Sequence, residues 1–287
     1  MIKTILGSFQ KKDKETEMGF FDHLETLRWH IIRSFIAILL GSTVIFIFYD
    51  WFFENIVFAP GKPTFITYTF FCKVGAMLHT DQLCFQFKEL TLLNTELSGQ
   101  LMTQFTTAFT GGIVVAFPYI CFEVWSFIKP ALQEKELSKT RPIILYTSLL
   151  FLTGLLFGYY IMTPFWLAFS QSFTISKSIT NMFSLDNYIS GVSTLIFSCG
   201  LIFELPVLIY FLSKLGLMTP KYMREYRRHA YVSIVILGAM ITPQTDIFSL
   251  TMICLPLVVL YEASISVSAR VEKKKRQLEF QFPDDEA

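Results

Sequence analysis

Residues Ser198 to Phe211 read SCGLIFELPVLIYF, and Glu204 within them is the only charge between Asp186 and Lys214. A carboxyl group in hydrocarbon is costly unless it is neutralised, paired or reached by water. A chain keeps such a group mainly where it meets a partner or a substrate. The surrounding apolar run extends from about Tyr188 to Leu212, and a bilayer crossing needs about 20 such residues. The stretch therefore reads as a membrane helix with a functional acid inside it.

Composition extends that reading to the whole chain. Of 287 residues 53% are hydrophobic and 31 are Phe, more apolar surface than a soluble domain of this size hides. The expected class is an all-α polytopic integral membrane protein. A net charge of +1 supplies no basic field for nucleic acid. The opening MIKTILGSFQKKDKETE is too polar for a secretory signal peptide, so the first hydrophobic stretch is expected to stay as an anchor.

Further apolar runs cover Trp29–Tyr49, Leu97–Phe122, Pro142–Phe165, Tyr231–Ile241 and Ile247–Val267. The second contains TQFTTAFTGG and is expected to face other helices rather than lipid. The last two are short and are separated by TPQT. With the Glu204 run they predict six transmembrane helices, a re-entrant pair at the end being the alternative. The implied layout is a cytoplasmic amphipathic segment over 1–28, a membrane domain over 29–267 with an outer loop over 50–96, and a basic then acidic tail over 268–287. The end of that tail, QLEFQFPDDEA, is expected to be disordered. Pro142 suits a helix start, whereas Pro118 and Pro206 should kink their helices. Gly154 and Gly158 form GxxxG, either a thin adaptable helix face or a dimer seam.

Orientation follows from the basic residues. Of 24 Lys and Arg, only Lys62, Lys73, Lys88 and Lys177 fall on the side opposite the termini. Both termini are therefore expected to be cytoplasmic. The outer loop carries Cys72 and Cys84, and an oxidising compartment would allow them to bond. Cys121, Cys199 and Cys254 sit in apolar segments as small hydrophobes.

No HExxH, GxSxG, Walker loop or metal-spaced His/Cys cluster occurs, so no catalytic residue, metal or cofactor is expected. His23, His30, His79 and His229 are scattered and read as interfacial residues. Nor is there an internal repeat of the kind many transporters carry. Charge at the helix ends remains. FFDHLETLRWHIIR, residues 20–33, is an amphipathic lead-in to the first span, fit to lie on a membrane surface or to offer acids to a cationic ligand. FEVWSFIKPALQEKELSK, residues 122–139, places Trp125 and Phe127 at interface depth, then Pro130, Glu134 and Glu136.

Taken in order, DHLETLR, the Ala59–Pro60 pair, FEVWSFIKPALQEKE, GLIFELPV and ITPQTDIFSLTMICLPLVVLYE resemble the TatC family, the signal-peptide receptors of the twin-arginine protein translocase. The resemblance runs from about Phe20 to Arg270. It implies a multi-pass protein of the bacterial inner membrane that binds twin-arginine signal peptides of folded cargo at its cytoplasmic face. It further implies recruitment of single-span TatA/TatB-type subunits, self-association in a larger complex, contact with membrane lipids, and the proton-motive force as energy source. Residue by residue it assigns signal-peptide binding to Glu25, Thr26, Arg28, Phe127, Pro130 and Glu136. Thr26 stands where the family carries an acid, with Glu25 one position earlier and turned about 100 degrees around the helix. Glu204 and Asp246 match the family's partner-contact acids, Pro60 and Pro206 are structural, and Leu250 stands where a glutamine is common. The residues themselves leave two other classes open: a proton- or cation-coupled transporter of a small solute with Glu204 as ion site, and a membrane scaffold without a ligand.

Overall fold

A computed structural model describes residues 20–77, 90–128, 140–174, 176, 181–241 and 247–281. These form helices almost throughout. In chain order they are α1 (Phe20–Ile47), α2 (Tyr49–Phe52), α3 (Ile66–Met77), α4 (Gly99–Ile128), α5 (Thr140–Phe157), α6 (Thr163–Ser172), α7 (Leu185–Phe203), α8 (Leu205–Lys214), α9 (Pro220–Glu225), α10 (Arg227–Ile241) and α11 (Ile247–Gln281). A two-residue parallel ladder, Leu92–Leu93 on Phe183–Ser184, ties the segment before α4 to the entry of α7.

Among the described residues, five segments are long and apolar enough to cross a membrane: Leu24–Ile47, Gly99–Ile128, Ile143–Ser172, Leu185–Lys214 and Leu250–Lys274. The fifth span expected from sequence corresponds to α10, whose 15 residues rise only about 22 Å. Outward faces are apolar, as with Phe35, Ile36, Leu39, Leu40, Val44 and Ile47 on α1. Such a surface suits lipid rather than water.

Two boundaries differ from the sequence expectation. The lead-in before Trp29 is no separate surface helix; it is continuous with the span, because nothing from Phe20 to Leu40 breaks a helix. At the other end α11 runs on through Gln281, where an irregular tail was expected. The segment RVEKKKRQLEFQ holds good helix formers and neither Gly nor Pro.

Small residues set the helix crossings. α1 and α4 pack antiparallel, and a Cβ on Gly41 would lie 3.0 Å from the Gly112 carbonyl oxygen. The GxxxG glycines form an internal seam. A Cβ on Gly154 would meet the Cys199 oxygen at 2.6 Å, and one on Gly158 the Ile196 Cα at 2.9 Å, so both press against α7. That face is occupied within the chain and is not free to serve as a dimer seam.

Prolines dictate the end of the bundle formed by Phe53–Met77. Pro60 has no N–H to bond the Ile56 carbonyl, and the Tyr159 hydroxyl donates to it instead at 2.8 Å. Pro164 likewise frees the Tyr160 carbonyl, which takes the Thr67 hydroxyl at 2.6 Å. The Tyr68 hydroxyl donates to the Pro60 carbonyl at 3.0 Å, and that of Tyr188 to Val57 at 2.7 Å. Burial pushes the Tyr68 phenol well above its ordinary pKa, so it stays a donor. Pro60 itself is fully buried. Around these bonds Phe53, Phe65, Trp166, Leu167 and Leu257 make the main core.

Candidate functional site

At the opposite end of the bundle lie the start of α1, the end of α4 and the basic α9, and three carboxylates between that end and the interior have three different surroundings. Helical spacing puts Thr26, His30 and Arg33 on one stripe of α1, and Tyr119, Glu123 and Phe127 on one stripe of α4. The stripes meet. His30 Nδ1 donates to Glu123 Oε2, and the His30 ring stands edge-on to Phe127 with centroids 6.0 Å apart. Tyr119 hydrogen-bonds the same carboxylate and Arg33 is close enough to act on it electrostatically. Glu123 is 3% exposed and His30 16%. A buried acid is tolerable here because both its charge and its lone pairs are met.

Glu204 is the second case. The α7–α8 helix breaks at this residue, whose N–H turns back to the Leu201 carbonyl at 3.1 Å, two positions before Pro206. The expected kink is therefore present and centred on the acid. Its Oε1 is buried and has no hydrogen-bond partner among the described residues. Its neighbours are Cys121 on α4 and the Phe151 backbone on α5.

Glu262 on α11 is the third. Arg227 Nη2 and the Tyr231 hydroxyl, both from α10, donate to its two oxygens at 2.7 Å each. Arg227 and Glu262 are more than a third exposed, so this triad joins two helices at the rim. Below it the Tyr261 hydroxyl bonds the Met223 carbonyl at 2.8 Å, and Ser213 Oγ donates to Ser268 Oγ at 2.8 Å, fastening α8, α9 and α11.

Of the residues singled out from sequence, Glu25 and Arg28 are exposed on the first turns of α1, and Thr26 and Phe127 are half-buried beside them at the same end. Pro130, Glu136, Asp246 and Cys84 lie outside the described residues. Cys72 is disulfide-bonded, whereas Cys121, Cys199 and Cys254 are free thiols. Among the described residues no three His, Cys, Asp or Glu side chains gather to hold a metal ion.

His30 corrects an expectation. It is not a scattered interfacial residue but half of an inter-helix pair. Glu123 and Glu262 were not singled out at all. The one sequence signal that could have found the pair is the matching i, i+4 spacing of Thr26/His30 and Glu123/Phe127.

Comparison with known proteins places this architecture. Residues 22–256 match the family model described as Sec-independent protein translocase protein (TatC). The TatC protein of Blattabacterium sp. subsp. Periplaneta americana is 40% identical over 92% of this chain and 100% of its own length. Bacillus subtilis TatCy is 31% identical over 92% of this chain and 94% of its own. Among solved structures, a crystal structure of the twin arginine translocase receptor TatC superposes with TM-score 0.67 at 30% identity, covering 87% of this chain and 99% of that one. A second, of the same receptor in DDM, gives TM-score 0.69. The chain belongs to the TatC family of Sec-independent protein translocase proteins.

Proposed function

We propose that this chain is the receptor and core subunit of a twin-arginine translocase in a bacterial inner membrane. The observation that carries this reading is the gathering of Glu25, Thr26, Arg28 and Phe127 at one end of the α1–α4 pair. In this reading α10 completes a sixth crossing, both termini face the cytoplasm, and the end bearing α9 is cytoplasmic. The segment before Trp29 and the residues after Val267 then lie on that side, and the loop over 50–96 lies outside.

Recognition rests on the shape of two guanidinium groups. Each is a planar fork that grips a carboxylate through two parallel bonds, a geometry that lysine lacks. Glu136, in the segment that follows Phe127 and Pro130, takes one arginine, with Glu25 assisting at the start of α1. At a partly dehydrated interface the lower dielectric strengthens such pairs. The apolar part of the signal then lies along the bundle. Glu204, with a buried oxygen left over, holds a polar residue on the transmembrane helix of a TatA/TatB-type subunit, since each polar group would otherwise stay without a partner in an apolar surrounding. Asp246, which precedes α11 in the sequence, contributes to the same assembly. The role is one of binding and recruitment rather than bond-making chemistry.

The test is capture of a twin-arginine signal peptide by the purified chain. Glu136→Ala should weaken capture by about tenfold or more, the worth of a charge-assisted hydrogen bond. A peptide with twin lysines should bind poorly even to the unaltered protein. Equal cross-linking of the two peptides would sink the proposal.

A further inference from the structure

Glu123 and His30 take no direct part in the capture just described, yet the Glu123 carboxylate is almost fully enclosed and hydrogen-bonded by both His30 and Tyr119. Their position in the α1–α4 interface gives them a use. Three contacts mark one antiparallel register: Phe46 stacks on Phe105 at 5.3 Å, Gly41 crosses Gly112, and His30 bonds Glu123. Carried one turn further, the same register sets residue 26 level with residue 127. Those are the position of the family's acid and the aromatic of the recognition segment. The crossing at Gly41 and Gly112 brings backbones close but presents smooth surfaces, which oppose a slip along the axis weakly. A pair with directional bonds opposes it strongly. One turn of slip is about 5.4 Å, a whole side-chain layer.

We propose that His30 and Glu123 are a positioning pair that pins α1 against α4 in the register that presents Thr26, with Glu25 and Arg28 beside it, to the Phe127 segment; the proposal rests on the receptor reading above. The pair does not touch the signal peptide. It fixes the spacing between the two halves of the surface that does. Arg33 and Tyr119 support it, the cation from the α1 side and the hydroxyl from the α4 side, so that the carboxylate has no reason to turn outward.

The experiment uses the full chain in detergent and reads two quantities. One is capture of a photoreactive twin-arginine peptide; the other is the rate of disulfide cross-linking between cysteines placed at 26 and 127 (T26C with F127C). Glu123→Leu and His30→Leu should each lower capture by roughly tenfold, a usual size for coupling between sites, and should slow the cross-link. Exchanging the partners, H30E with E123H, should recover both. A folded Glu123→Leu protein with parental capture and parental cross-linking would overturn the proposal. Should Glu123→Leu not fold, Glu123→Gln keeps the shape and removes the charge; parental values of both readouts in that variant would overturn it equally. The two ideas fail differently. An unaltered chain that captures twin lysines as well as twin arginines defeats the receptor reading, whereas the 26–127 cross-link still decides the positioning pair.

Discussion

Glu123 and Glu204 lie on opposite sides of α4. Cys121 faces the Glu204 side, and Glu123, two residues on and about 200 degrees around the helix, faces α1. One carboxylate has a histidine and a tyrosine on it; the other keeps a buried oxygen with no partner among the described residues. On the receptor reading, the difference separates an acid that belongs to the fold from one that awaits another polypeptide. A chain can hold a charge in its interior for its own cohesion only if it supplies the counter-group. Where it does not, the counter-group is expected from elsewhere.

The contrast breaks most visibly at Glu123. Replacing it by leucine leaves the half-buried His30 ring without its partner, at a cost of about 1–3 kcal/mol. Thermal unfolding of the purified protein should fall accordingly, and an unchanged midpoint would mean that the pair contributes nothing. Arg227→Gln sharpens the scale from the exposed side. Its pair with Glu262 is open to solvent, so the loss should stay below about 1 kcal/mol, and a larger drop would show that the rim triad is as structural as the buried pair. Glu204→Leu should have the smallest effect on unfolding, neutral or slightly stabilising, because it removes an unsatisfied group. The same variant should keep peptide capture but lose co-purification with TatA/TatB-type subunits. Strong destabilisation by Glu204→Leu would erase the distinction between the two acids.

How much of this could be read from residues alone differed by feature. Glu204 was legible because a lone charge in an apolar run stands out, and Pro206 beside it announced the break. Glu123 was not, because it sits at the fringe of its run among aromatic residues, and its partner is 93 positions away. The same limit applied to the prolines. That Pro60 and Pro164 free a carbonyl four residues back follows from their chemistry, but nothing local says that Tyr159 and Thr67 supply the missing hydrogen bonds. GxxxG announced a close approach without naming α7 as what approaches. The order of the spans was legible throughout. The end of α11 was not legible, because a polar, charged composition reads as an irregular tail although nothing from Arg270 to Gln281 breaks a helix.

That last helix has a consequence for traffic near the protein. Its 35 residues make a rod about 52 Å long, against a hydrocarbon layer of about 30 Å. A stem therefore stands clear of the lipid on the α9 side, with Arg270, Lys273 and Lys274 on its surface. Its field reaches about 8–10 Å at physiological salt. A cationic segment that approached along that flank would meet like charge, so the stem sets one side of the bundle against basic partners before any carboxylate is reached.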